Sequence, residues 1–228
     1  MSASAPLLRV WDVTTASRVD YFLANSSHVA RRIKKFYNRD SVVIHPPVSV
    51  EDFQSDQERE DFYLCAGQLV PYKRVDLAVK AFNESGRKLV VIGDGPQIQM
   101  LKSIAKPNVS VLGYQEGQVL KDHLSKCRAL IFPGEEDFGI TPVEAMASGA
   151  PVIAYGRGGA RETVTSDHVG VMFDHQTVTS LNNAIEEFEG RLTSWNPADI
   201  AAHSTQFSSE NFRERFIAFC REVGLNVG

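Results

Sequence analysis

Several things are scarce in this sequence, and each scarcity closes off a class of protein. Cysteine occurs three times in 228 residues, as Cys65, Cys127 and Cys220. The three are far apart with no C-x-x-C pair, so neither a disulfide framework nor a zinc ribbon is expected, and buried thiols of a reducing compartment are the ordinary reading. No apolar run approaches the ~18 residues of a membrane span. The opening MSASAPLLRVWD lacks a basic end ahead of a long apolar core and reads poorly as a signal peptide, so the expected location is cytoplasmic. Positive charge is short as well: 24 Lys and Arg against 28 Asp and Glu give a net charge of -4, with a pI near 5.9, which argues against nonspecific nucleic-acid binding. The six histidines do not cluster at ligand spacing and no D-x-D occurs, so a metal clamp has no visible ligands.

What is present is ordinary in amount and distinctive in order. Hydrophobic residues make up 43% and charged residues 23%, enough to bury a substantial core. One phrase recurs through the middle of the chain: a short apolar run, a glycine or proline, a loop, a helical stretch. FYLCA (62–66) stops at Gly67, KLVVI (88–92) at Gly93 and VSVL (109–112) at Gly113. RALIF (128–132) stops at Pro133 and PVIAY (151–155) at Gly156, and GVMF (170–173) makes a sixth. Near-continuous apolarity, rather than alternation, suits strands covered on both faces. With helical patterns such as Val75, Val79 and Phe82 between them, the fold class is α/β: an open parallel sheet with helices on both faces. Ligands of such sheets bind beyond the carboxyl ends of the strands, which is where every punctuating glycine and proline falls.

The loops at those ends carry the candidate residues. In GEEDFGITPVEAMASGAPVIAYG, Thr141-Pro142-Val143-Glu144 reads as a capping box with proline at the first helical position. On that reading Glu144 does no more than satisfy a backbone N–H. The other reading is a ligand site: Gly139 gives access to the free amides of Ile140 and Thr141, and a helix N-terminus reached through glycine binds anions. The acids Glu135, Glu136 and Asp137 would repel an anion set too close but suit neutral hydroxyls, so a ligand with phosphate and polyol parts meets both demands. In AGQLVPYKRVDLAVKAF (66–82), Lys73 and Arg74 precede or open a helix, where the macrodipole disfavours cations by ~0.3–1 kcal/mol. They are either a solvated surface pair or the cationic side of that anion site. GDGP (93–96) is a bare G-x-G that equally forms a turn, and GRGGARETV (156–164) holds two turn glycines with Glu162 in the first turn of the next helix. RRIKK (31–35) reads as a solvated helix face, with at most peripheral contact to an anionic membrane. His45-Pro46-Pro47 reads as a stiff linker, and the stripe Phe212, Phe216, Phe219, Val223 as core packing.

Taken in order, GQLVPYKRVDLAVKAF, LVVIGDGP, VSVLGY and FPGEEDFGITPVEAMASGAPVIAYGRGGARETV resemble the carboxyl-terminal half of retaining GT-B glycosyltransferases, family 4 or group 1, and mannosyltransferase-like members in particular. The resemblance covers residues 19–225, and its most specific element is E-x7-E, from Glu136 to Glu144. It implies a Rossmann-like donor-binding domain over 48–207, a remnant of the amino-terminal domain with its linker over 1–47, and a closing helix within 208–228, whose Phe212 stripe would then belong across the missing half and be left as exposed apolar surface. It further implies metal-independent, retaining transfer of a hexose from a nucleotide-diphosphate sugar, GDP-mannose or a UDP-sugar, to a glycan or lipid-linked acceptor, with no cofactor. Glu136 and Lys73 would be the catalytic pair, Glu136 on the transferred sugar and Lys73 on the diphosphate with the amides of Gly139, Ile140 and Thr141. Glu144 would hold the ribose and the backbone near Gly113 and Tyr114 would face the base. Gly67, Gln68, Arg74, Asp137 and Phe138 complete the donor-binding set. Two features depart from the family: Gln68 stands where arginine is usual, and most of the amino-terminal half has no counterpart. A noncatalytic nucleotide-sugar-binding module, or a half that works only with a separate amino-terminal partner, therefore stands as the alternative. A nucleotide-sugar epimerase on the same architecture fits the E-x7-E context poorly.

Overall fold

The computed structural model describes residues 5–225. It opens with α1 (Ala5–Ala16), β1 (Leu23–Ala24), α2 (Ser27–Tyr37) and β2 (Val42–Val43). The strand expected over residues 19–24 is only two residues long, and it pairs in parallel with β2 in a small sheet. Helix α2 is defined at both ends. Ser26 Oγ accepts the Val29 N–H, and Asn38 turns left-handed (φ 52°) to close the helix, a geometry asparagine tolerates better than most residues.

The main body runs β3 (Tyr63–Ala66), α3 (Val75–Ser85), β4 (Leu89–Ile92), α4 (Ile98–Ile104), β5 (Val109–Gly113), α5 (Gly117–Lys126), β6 (Leu130–Phe132), α6 (Ile140–Ala147), β7 (Val152–Tyr155), α7 (Ala160–Thr163) and β8 (Gly170–Phe173). It closes with α8 (Val178–Gly190), α9 (Pro197–Ser204) and α10 (Ser209–Glu222). The six strands of the main sheet are all parallel, in the order β5-β4-β3-β6-β7-β8. All six apolar runs read from the sequence are therefore strands. The reason lies in how each run is shared between two cores. Cys65, Val91, Ile131 and Ile153 face one core with α3 and α8. Their neighbours Leu64, Ile92, Leu130 and Val152 face the other with α6 and α9. A strand buried on both faces needs no polar alternation. Val75, Val79 and Phe82 are buried, and a fully buried side chain of this size contributes roughly 1.5–3 kcal/mol.

This strand order places the switch point between β3 and β6, where the chain leaves one strand outward and returns beside it. The crevice beyond their carboxyl ends is the expected ligand position for such a sheet.

The aromatic stripe of α10 departs from the core-packing expectation and agrees with the exposed face of a closing helix. Only Cys220 of this helix is buried; Phe212 and Phe216 stack on each other with centroids 5.9 Å apart, and Phe216 is exposed. The stripe is a partly open surface rather than core, and Phe219 meets the amino-terminal segment edge-on at Tyr21. On α1, Leu7, Leu8, Val10 and Trp11 are also exposed. No described helix is long and apolar enough to cross a membrane.

Candidate functional site

Beyond the ends of β3 and β6 lies a cavity of about 800 Å³ lined by Lys73, Glu135, Glu136, Asp137, Gly139, Ile140 and Thr141, with Asn25, Arg32 and Pro46 from the amino-terminal segment. A neighbouring hollow of about 410 Å³ shares Arg32, Tyr72 and the three acids, and adds His28, Arg74 and Gln176.

Close backbone packing builds this site. A Cβ on Gly134 would lie 2.8 Å from Lys73 Cα, so the turn after β6 rests directly on the lysine's backbone. From the other side, a Cβ on Gly158 would meet the Glu136 carbonyl oxygen at 2.3 Å and one on Gly159 would meet Phe138 Cα at 2.3 Å. Gly159 N–H also donates to the Glu136 carbonyl at 2.8 Å. The acid loop is thus clamped between two segments that only glycine lets approach. Gly93 and Gly95 behave alike: a Cβ on either would enter the backbone of Gly67 or Leu69. The G-x-G after β4 is a packing turn and does not line the cavity.

Each of the three consecutive acids faces its own basic side chain, a lysine, an arginine or a histidine. Glu136 Oε1 lies 2.9 Å from Lys73 Nζ, both side chains largely buried. Asp137 Oδ1 meets Arg32 Nη1 at 2.6 Å, and Glu135 Oε1 is 3.9 Å from His28 Nε2. The Lys73 approach lacks hydrogen-bond directionality, so the buried Oε1 of Glu136 has no directed donor among the described residues. Beneath the pair, burial pushes the Cys65 thiol up to about 12; Lys73 opposes that rise and Glu136 adds to it. The thiol is an inert wall.

The expected capping box does not form. Helix α6 starts at Ile140 with Gly139 as its cap residue in a left-handed conformation (φ 89°), without any side-chain cap bond. Thr141 is therefore the second helical residue, Pro142 the third, and Glu144 is too far along to reach back to an N-cap amide. Two consequences follow. The amides of Ile140 and Thr141 donate to nothing among the described residues. Glu144 is half-buried without a cap to explain it, and burial raises its carboxyl above the usual value while Lys121 pulls the other way. Gly139 lines the cavity beside those amides, and a Cβ there would meet Phe132 and Pro142 at 3.2–3.3 Å, so its missing side chain also serves the turn and the packing.

The remaining expected residues are spread more widely. Gly67 faces the lysine head, since a Cβ on it would sit 3.3 Å from Lys73 Nζ. Gln68 is exposed. Arg74 is engaged by Asp76 at 3.2 Å and Gln176 at 3.3 Å. Gly113 ends β5 and accepts the Gly93 N–H, with Tyr114 exposed beside it. The Phe138 ring is buried and packs on His45 and Phe207. Among the described residues no three His, Cys, Asp or Glu side chains gather as a metal site.

One organiser escaped the sequence. Glu162 Oε2 accepts the Ser27 N–H at 2.8 Å, its Oε1 accepts the His28 N–H at 3.1 Å, and His45 Nε2 lies 3.3 Å from Oε2. Burial alone would raise its carboxyl. The donors of Ser27, His45 and His28 outweigh burial and hold it below the usual value. A carboxylate on a helix N-terminus is a favourable pairing, and here it pins α2 to α7. His45, read as part of a linker, is thus bonded and stacked. Nothing local in GGARE signals a partner 135 residues away.

The family model described as glycosyl transferases group 1 matches residues 49–191, more than half of the chain. The chain belongs to this family. An O-antigen chain mannosyltransferase, RfbU of Salmonella typhimurium, is 32% identical over 61% of this chain and 43% of its own length. A GDP-mannose-dependent alpha-(1-6)-phosphatidylinositol monomannoside mannosyltransferase of Mycobacterium tuberculosis is 30% identical over 54% of this chain and 37% of its own. The chain spans about half or less of the length of such curated relatives. In fold it is similar to sucrose-phosphate synthase from Thermosynechococcus elongatus, with TM-score 0.83 and 18% identity over 97% of this chain and 63% of that one. It is similar also to Anabaena Alr3699/HepE in complex with UDP and glucose, with TM-score 0.78 and 18% identity over 93% of this chain and 66% of that one. The fold is the Rossmann-like half of a GT-B glycosyltransferase.

Proposed function

We propose that this chain is the donor-binding half of a glycosyltransferase and takes a nucleotide-diphosphate sugar in the cavity beyond β3 and β6. The observation that carries the reading is the juxtaposition there of Lys73, the undonated amides of Ile140 and Thr141, and a buried Glu136 oxygen without a directed donor. Phosphate oxygens need donors and positive charge; sugar hydroxyls need acceptors. The cavity offers both, side by side.

The chemistry follows from the charges that develop. Cleavage of the glycosidic bond puts negative charge on the leaving diphosphate and positive charge on the sugar ring. Lys73 and the α6 amides stabilise the first, and one well-aimed donor of this kind is worth roughly 10²–10³ in rate. Glu136 accepts from the sugar hydroxyls and orients the ring, while Glu144, freed from capping, accepts the ribose hydroxyls and Gly113 and Tyr114 border the base. These residues supply orientation and electrostatics without a protein nucleophile, in keeping with transfer that retains the anomeric configuration. GDP-mannose is the preferred donor, since several relatives carry GDP-mannose dependence in their names; UDP-sugars are the alternative, and the acceptor is a glycan or lipid-linked glycan.

Calorimetric titration with GDP-mannose, UDP-glucose, UDP-N-acetylglucosamine and UDP-galactose in the presence of a chelator tests this. Binding of one donor, weakened at least ten-fold by Lys73→Ala, is expected; no heat with any of them would overturn it. A second reading is a module that binds donor and transfers nothing. Transfer on addition of a separate amino-terminal half separates the two.

A further inference from the structure

The donor cavity and the hollow beside it are lined by three carboxylates, Glu135, Glu136 and Asp137, against three permanent cations, Lys73, Arg74 and Arg32. A diphosphate brings further negative charge, so which cations can turn toward it decides whether it binds. Lys73 is one. Arg74 is held by Asp76 and Gln176 and borders only the smaller hollow. We propose that Arg32, carried on α2, is the second cation of the diphosphate site and exchanges Asp137 for phosphate when donor binds. The proposal rests on the donor reading above.

Three observations bear it. Arg32 lines both hollows, as Tyr72 and the three acids do, so it borders the same cavity as Lys73 and the residues that open α6. Among the described residues its one ion-pair partner is Asp137, and both side chains are about half exposed, 54% and 53%. An exposed pair of that kind is worth only ~0–1 kcal/mol, whereas guanidinium on phosphate makes paired, charge-assisted bonds, so exchange is favourable. Finally, Arg32 is fixed at its base: Glu162 grips the Ser27 and His28 amides one turn before it, and Ile33 is buried. Without Arg32 the two hollows carry more carboxylates than cations.

The test titrates guanosine, GMP and GDP (with uridine, UMP and UDP in parallel) into the wild type, Arg32→Gln, Arg32→Lys and Lys73→Ala. Arg32→Gln is expected to weaken diphosphate binding about ten-fold, to leave the nucleoside unchanged, and to reduce the salt dependence of binding. Arg32→Lys should lie between. Since Arg32 is exposed, the two Arg32 variants should keep the wild-type melting temperature, which is checked alongside, whereas Lys73→Ala should melt lower because it strands the Glu136 charge. Diphosphate affinity within two-fold of wild type in Arg32→Gln, while Lys73→Ala loses it, overturns this proposal and leaves the donor reading standing. A wild-type chain that binds neither GDP nor UDP overturns both.

Discussion

Glu162→Ala is the most revealing single substitution, because Glu162 joins the amino-terminal segment to α7 through three contacts at once. The carboxylate accepts the Ser27 and His28 amides at 2.8 and 3.1 Å and pairs with His45 at 3.3 Å, and its side chain is 19% exposed. Hydrogen bonds to a charged partner contribute about 1.5–3 kcal/mol each when well buried, and an anion at a helix N-terminus about 0.3–1 kcal/mol. Water can reach the amides once the carboxylate is gone, so the lower end applies: a loss of about 2 kcal/mol for alanine, and about 1 kcal/mol for Glu162→Gln, which keeps one acceptor. The pH dependence has a definite sign. The folded carboxyl is held below its ordinary value of 4.5, so its stabilisation is fully present above that value and disappears as pH falls through the folded one. The gap between wild type and Glu162→Gln should therefore be open at pH 7 and closed in strong acid. Urea unfolding across pH, with amide exchange at Ser27 and His28, measures both quantities. A gap under about 0.5 kcal/mol at pH 7 for the alanine variant, below the ordinary worth of one hydrogen bond, would refute the reasoning.

Three further outcomes are expected. Glu144→Gln should keep or raise the melting temperature at pH 7 while weakening donor binding. Burial holds that carboxyl above 4.5, so the protonated form is the favoured one, and its advantage is present below 4.5 and lost as pH rises; a lower melting temperature with unchanged affinity would restore the capping role. Lys73→Met strands the Glu136 charge and should cost about 2 kcal/mol, less than a fully buried pair. Adding Glu136→Gln should recover stability but not donor binding, which denaturation and calorimetry together check. Gly93→Ala should fail to fold or lose more than about 3 kcal/mol, since its Cβ would lie 1.8 Å from the Gly67 carbonyl oxygen with φ at +143°; a soluble variant of wild-type stability would contradict the packing described.

Much of the architecture was legible because strand burial writes itself locally. Runs such as LVVI and VIAY are apolar at every position because adjacent residues serve opposite cores, and the glycine or proline after each marks a strand end. The candidate site was legible in part for the same reason, as the acids and Lys73 sit on those ends. The start of α6 was misread because Thr-Pro-Val-Glu satisfies every local rule for a capping box. The left-handed Gly139, wedged between Phe132 and Pro142, starts the helix before the threonine instead. The exposure of the α10 stripe was not decidable locally, because helical periodicity reports an apolar face and says nothing of what covers it.

The residues alone determined the doubly covered parallel sheet and the crevice where a ligand belongs, since both follow from patterns a few residues long. Only the tertiary structure decided how three adjacent acids are tolerated. Arg32 reaches Asp137 across 105 residues and Glu162 holds the Ser27 amide across 135. Pairings over such distances are selected by the packing of whole elements, and no local spacing encodes them.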